Sequence, residues 1–144
     1  MDTLKDNGPN VHTINIHKAT ERNNTFRTAI WTGPHMQVTV MSIEPGDDVG
    51  LEIHEKEDQF FRVEKGRARV EAGPTRDNLT FRRDVSEGDA IFIPSGTWHN
   101  IINTGRDALK VYSIYAPPHH PHGTVHVTKA DDHGHDHGPG SVEG

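Results

Sequence analysis

The chain has 144 residues, a formal net charge of −6 and no cysteine, so it suits a single domain with a real core and excludes disulfides, thiolate nucleophiles and Cys-based zinc sites. Lys and Arg form no stripe, which argues against a nucleic-acid partner. No run approaches the roughly 18 apolar residues of a membrane span, and the opening MDTLKDNGPN lacks the regions of a signal peptide, so the expectation is a cytoplasmic protein without a membrane partner.

Residues 1–10 read as a flexible N-terminus, 11–128 as a β-barrel domain with a segment following its last strand, and 129–144 as a disordered tail rich in His and Gly. Within the domain, VHTINI, FRTAIWT, MQVTVMSI, GLEIH, QFFRVEKG, RARVEA, LTFRRDV, DAIFIP, WHNIIN and LKVYSIYA are strand-like, rich in β-branched and aromatic residues. Turn chemistry separates them in EPGDD, AGPTRDN, SEGD, PSGT and NTGRDA. HKATERNN reads as a loop or a helical turn, and no window sustains helical periodicity for longer than a turn or two. The fold class is all-β, of a size for a small closed barrel or a two-sheet jelly roll.

Two segments carry the candidate chemistry. In GLEIHEKEDQFFRVEKG, Glu52 and His54 are two apart and share a strand face. EKED makes the connection and Gln59 opens the return strand, so a hairpin would bring Gln59 to the Glu52/His54 pair. Phe61 and Val63 share the Gln59 face. In GDAIFIPSGTWHNIIN, the turn at Pro94–Thr97 delivers His99, with Ile101 and Asn103 on its face. Phe61, Val63, Ile101, Asn103 and Tyr115 are the cavity-wall candidates; Tyr112 and Tyr115 lie on opposite faces of their strand, so only one points inward.

These segments resemble the two motifs of the cupin superfamily, and the chain looks like a small single-domain, type-2 cupin with a sugar-isomerase-like barrel. The second motif, Gly88, five residues, Pro94-Ser95-Gly96, two residues, His99, three residues, Asn103, matches at every position. The first keeps Gly46, His54, Gly66 and all spacings, with Glu52 where a histidine is usual and Gln59 where a glutamate is usual. The resemblance implies a double-stranded β-helix, the jelly-roll cupin barrel. It also implies one divalent metal ion (Mn, Fe, Ni, Co or Zn) held by Glu52, His54, Gln59 and His99. The carboxylate has changed place rather than disappeared, and two His with one carboxylate is also the composition of non-haem Fe(II) sites. The competing reading keeps the barrel and loses the site. Against it stands the cost of a buried carboxylate with no Lys or Arg evident on its face.

Several small cupins are sugar isomerases or epimerases, so the resemblance implies an enzyme of that type acting on a small oxygenated substrate, a sugar or a hydroxy- or keto-acid. An Fe(II)-dependent dioxygenase and a non-catalytic ligand-binding cupin are the alternatives. The general base is unassigned, with Glu52 and His126 as candidates. His120, His122 or His126, in PPHHPHGTVHVTK, are candidates for a substrate contact or proton shuttle. His12, His17 and His35 read as surface histidines. The His-rich tail binds metal weakly, as any such tract does. A homodimer through sheet edges is compatible with a barrel of this kind.

Overall fold

The computed structural model describes residues 4–135. Its elements in chain order are helix α1 (Ile16–Arg22), strands β1 (Arg27–Thr32), β2 (Gln37–Ile43), β3 (Asp58–Lys65), β4 (Arg67–Gly73), β5 (Phe81–Ser86), β6 (Ala90–Ile93), β7 (Trp98–Asn103), β8 (Leu109–Ala116) and β9 (Val125–His126), and helix α2 (Lys129–His135). One sheet has the order β6-β3-β8-β2-β1-β9 and the other β5-β4-β7. The chain crosses between them after β3, β5, β6 and β7, which makes the double-stranded β-helix. Gly66 (φ 102°) makes the first of these crossings, in a conformation that a Cβ disfavours.

Strand register stacks the interior in layers. Gln59 pairs with Ile93 and Tyr115, Phe61 with Ile91 and Ser113, and Val63 with Val111. Across the barrel, His99 pairs with Ala72, Ile101 with Val70 and Asn103 with Ala68. Phe61, Val63, Val70, Ile91, Ile101 and Val111 belong to one buried cluster with Met41 and Leu109. The polar residues Gln59, His99 and Tyr115 occupy the end layer. The fold is therefore an apolar plug with a polar cap at one end.

Two stretches differ from the sequence expectation. VHTINI is not a strand: Asn15 caps α1, its side chain accepting from the Lys18 N–H at 3.0 Å. Ile16 packs with Leu4, Ile30 and Val38, covering the outer face of β1 and β2, whose two faces are thereby both buried. GLEIH does not form a hairpin with β3. Its backbone bonds to β7 in the other sheet, Val49 to Ile101 and Glu52 to His99 in both directions at 2.9–3.0 Å.

The segment before α1 packs as well. Asn7 donates to Ile30 O, and Asp6 accepts from Thr32 Oγ1 and from the Gly123 N–H. Residues 129–135, where the tail was expected to begin, form α2; 136–144 lie outside the described residues. Among the described residues no helix is long and apolar enough to cross a membrane.

Candidate metal centre

Glu52 and His54 arrive on the segment paired to β7, Gln59 on β3 and His99 on β7 itself, so the four converge from two sheets. Glu52 Oε1 lies 3.0 Å from His54 Nε2 and 3.9 Å from His99 Nε2. His99 Nε2 lies 3.2 Å from Gln59 Oε1. All four side chains are buried, His99 to within 1% of complete. Glu52, His54 and His99 offer ligand atoms within 4.8 Å of one another.

Hydrogen bonding fixes which way the donors face. The Nδ1 of His99 sits 2.9 Å from Thr97 O; a carbonyl only accepts, so Nδ1 carries the proton and Nε2 presents its lone pair. Gln59 donates its amide to Ser113 Oγ at 2.8 Å, which turns Oε1 toward that lone pair. Two acceptors face each other there, with the Glu52 carboxylate beside them. Burial pushes His99 below its ordinary pKa, against the pull of Glu52, and keeps it neutral. Burial alone would raise Glu52, but His54, Arg27 and His99 hold it below the usual carboxylate value. Ionised carboxylate, neutral imidazole and amide oxygen are the donor set that suits a divalent ion, so the residues fit the group. The buried Nδ1 of His54 has no hydrogen-bond partner.

A second group of residues, outside the motifs, completes the chamber. Arg27, on the inner face of β1, is buried, with Nη1 2.6 Å from Asp132 Oδ1 and 3.0 Å from His126 Nδ1. Burial works against its charge, but Tyr115, Asp132 and Glu52 raise its pKa. The expectation that no cation shares the surroundings of Glu52 is therefore corrected. Parity along FRTAIWT places Arg27 with Ala29, but the inward sense of that face is visible only once β1 is paired. Gln37, fully buried, donates to His120 O and accepts from the His119 and His120 N–H groups at 2.8–3.2 Å. It clamps the segment after β8 over the end of the barrel. The His119 ring lies 4.4 Å from that of His54, and its Nδ1 lies 3.2 Å from Glu57.

The remaining sequence candidates divide by layer. Tyr115 is fully buried, its ring 5.6 Å from His54, and burial pushes its hydroxyl up to about 12. Tyr112 packs on the outer face with Ile30 and Val38. The Phe61 ring is 6.4 Å from His99. Val63 and Ile101 are not cavity walls: they stand four and two residues along from Gln59 and His99, roughly 13 and 7 Å down the barrel at 3.3 Å per residue, inside the apolar cluster. Asn103 clamps the turn between β7 and β8, donating to Ile43 O and Asp107 O and accepting from the Gly105 N–H. His126 is buried and accepts from Arg27 through Nδ1; His120 Nε2 is 3.3 Å from the Tyr115 hydroxyl. His122 is half exposed and bonds Gly8 O. His17 pairs with Glu64, and His12 and His35 are exposed.

An apolar cleft of about 650 Å³ opens between β5 and β6, lined by residues that include Val70, Phe81, Val85, Ile91 and Phe92. Its Ala72 and Ile93 are the register partners of His99 and Gln59, so it backs onto the polar layer without including the four donors.

A family model described as Cupin domain matches residues 39–115. The chain is 60% identical over 128 residues to the Bacillus subtilis (strain 168) protein YrkC, spanning 89% of this chain and 69% of that one. It is 40% identical over 125 residues to protein L612 of Acanthamoeba polyphaga mimivirus, spanning 86% and 76%. The crystal structure of BH2720 from Bacillus halodurans superposes with a TM-score of 0.90 at 56% identity, covering 91% of this chain and 99% of that one.

Proposed function

The chain belongs to the cupin family, and from that premise we propose that it is a metal-dependent enzyme of the isomerase or epimerase type acting on a small oxygenated substrate. The observation that carries this reading is the facing pair of acceptors, His99 Nε2 and Gln59 Oε1 at 3.2 Å beside the Glu52 carboxylate. A cation relieves that arrangement. Glu52, His54, His99 and Gln59 would hold a divalent ion, which supplies Lewis-acid polarisation of adjacent substrate oxygens.

The chain's own groups handle the rest. Tyr115 keeps its proton at neutral pH because burial raises its pKa, and it stands where it can donate to a substrate oxygen. His120 is kept neutral chiefly by burial and, with Nε2 3.3 Å from the Tyr115 hydroxyl, positions that hydroxyl rather than serving as a base. His126, with Nδ1 engaged by Arg27, acts as a positioning group rather than a base. The segment clamped by Gln37 excludes water from the chamber.

A second reading is a metal-free ligand-binding barrel. Rotating the Gln59 amide by half a turn would let it donate to His99 and accept from Ser113, completing the network without a cation. Metal content separates the two. In full-length protein with tail residues His133, His135 and His137 changed to Asn, elemental analysis should find about one equivalent of metal, lost in Glu52→Ala and in His99→Ala. A metal-free parent after metal-replete expression refutes the enzyme reading. Loss with His99→Ala alone would leave Glu52 available as the base.

A further inference from the structure

We infer that the barrel takes a small carboxylate anion of the 2-hydroxy- or 2-oxo-acid class, its carboxylate against Arg27 in the place the Asp132 side chain now holds. The inference rests on the metal reading above and narrows its substrate.

Three observations carry it. First, Arg27 is a cation inside the barrel, its side chain only 2% exposed and hydrogen-bonded to Tyr115, whose ring lies 5.6 Å from that of His54. It also meets Asp132 of α2 at 2.6 Å. Second, its partner is a poor match. A guanidinium presents a fork of donors suited to both oxygens of a carboxylate. Asp132 is met through Nη1 alone, a nitrogen shared with His126, and the buried Nε has no hydrogen-bond partner. An entering carboxylate free of the constraints of α2 can use the fork.

Third, the charges favour an anion. A divalent ion with Arg27 opposes the carboxylates of Glu52, Asp132 and Glu57. The Glu57 carboxylate stands 3.2 Å from His119 Nδ1. These charges balance with Asp132 in place, and one positive charge is left over when it withdraws. A neutral sugar leaves that charge buried and uncompensated, whereas a hydroxy acid neutralises it. The 2-oxygen of such an acid then faces the Glu52/His54/Gln59/His99 donors. Asp132 in this view is an internal stand-in for the substrate carboxylate, carried on a short terminal helix that exchanges with it.

The test compares glycolate with its neutral isostere glycolamide, and acetate with acetamide, by isothermal titration and thermal melts on the full chain. In metal-loaded Asp132→Asn protein, glycolate should bind at least tenfold more tightly than glycolamide and tenfold more tightly than acetate. The Arg27→Met/Asp132→Asn double variant removes both charges together, so no lone charge is left buried. It should keep its metal and lose the preference for glycolate. Arg27→Lys, which keeps the charge and loses the fork, should fall between, and covers the case in which the double variant does not fold. Equal binding of glycolate and glycolamide, or a preference that survives in the Arg27 variants, overturns the inference. If the parent carries no metal, the metal reading falls by itself. The acetate arm then still decides whether Arg27 is an anion site: acetate should raise the melting temperature of metal-free Asp132→Asn protein and acetamide should not, and no such difference refutes it.

Discussion

Ser113→Ala separates the two orientations of Gln59 without touching a candidate ligand. Ser113 is fully buried and accepts the Gln59 amide at 2.8 Å. Without that hydroxyl, Gln59 Nε2 has lost its acceptor, and a buried donor left unsatisfied costs about 1–3 kcal/mol. In metal-free protein the amide escapes the penalty by rotating, because the lone pair of His99 Nε2 lies 3.2 Å away and accepts. With an ion bound, Oε1 has to face the ion and the penalty stays. The cost therefore falls on metal binding and not on the empty fold. Loss of such an orienting group weakens metal affinity about 10–100-fold, or about 1.4–2.8 kcal/mol, the same size as the unsatisfied donor. The assay is a chelator-competition titration of full-length protein with the tail histidines changed to Asn, beside thermal melts without metal. Affinity within twofold of the parent, or an unloaded melting penalty as large as the loss in metal binding, would refute the role given to Gln59.

Ile101→Ala, at a fully buried core position, should lower unfolding stability by about 2–5 kcal/mol in urea titrations while leaving metal content unchanged; a loss of metal would return Ile101 to the site. Gln59→Glu adds a second carboxylate whose oxygens, like those of Glu52, reach His99 Nε2. Two like charges within about 7 Å cost roughly 2 kcal/mol at an effective dielectric of 20, so this variant should melt lower when metal-free and bind metal more tightly, and a higher metal-free melting temperature would count against the layout. His17 is raised above its ordinary 6.5, first by its hydrogen bond to Glu64, so the pair's contribution is present below that value and fades as pH rises through the raised one. Burial alone would raise Glu64, but His17 and Arg62 hold it below its ordinary 4.5, so its share is present above that value and fades as pH falls. His17→Gln should therefore lower the urea midpoint more at pH 5.5 than at pH 8.5, and an equal effect at both would contradict the pairing.

Alternation made most strands legible, because β3, β4 and β7 each bury every second residue. At β2, buried throughout, composition rather than alternation made the strand legible, and the α1 that covers it was legible from His17 on only as a loop or a helical turn, with Ile16 given to a strand. Asn15 was the available signal, since an Asn before Ile16-His17-Lys18 is a helix start, but four turns of evidence were missing in a seven-residue helix. The motif spacing grouped Glu52, His54, Gln59 and His99, whose side chains the structure brings together, whereas the local reading placed the first three on a hairpin. Their meeting depends on the pairing of 48–52 with β7, a long-range event that no local pattern encodes. Arg27, Gln37 and His119 were illegible for the same reason: each enters the chamber through a partner 80 or more residues away or through the closure of the barrel.

The layered interior divides the work of folding from the work of the site. Below the polar layer, the residues are those that stability alone would choose, apolar and close-packed. In the end layer the chain buries Glu52, His54, Gln59, His99, Arg27 and His126, a set that well-packed hydrophobic residues of similar volume would match or exceed in stability. The polar set is held there by costly means: Gln37 clamps the covering segment and α2 supplies a carboxylate to Arg27. Arg27 acts on the carboxylate of Glu52, and Gln59 sits against Ser113 and against Tyr115, itself hydrogen-bonded to Arg27. The buried guanidinium thus adjoins the candidate metal ligands through Glu52 and through Tyr115. The proposed hydroxy acid has one end for the candidate metal ligands and one for the guanidinium, whereas a plain polyol has none for the guanidinium.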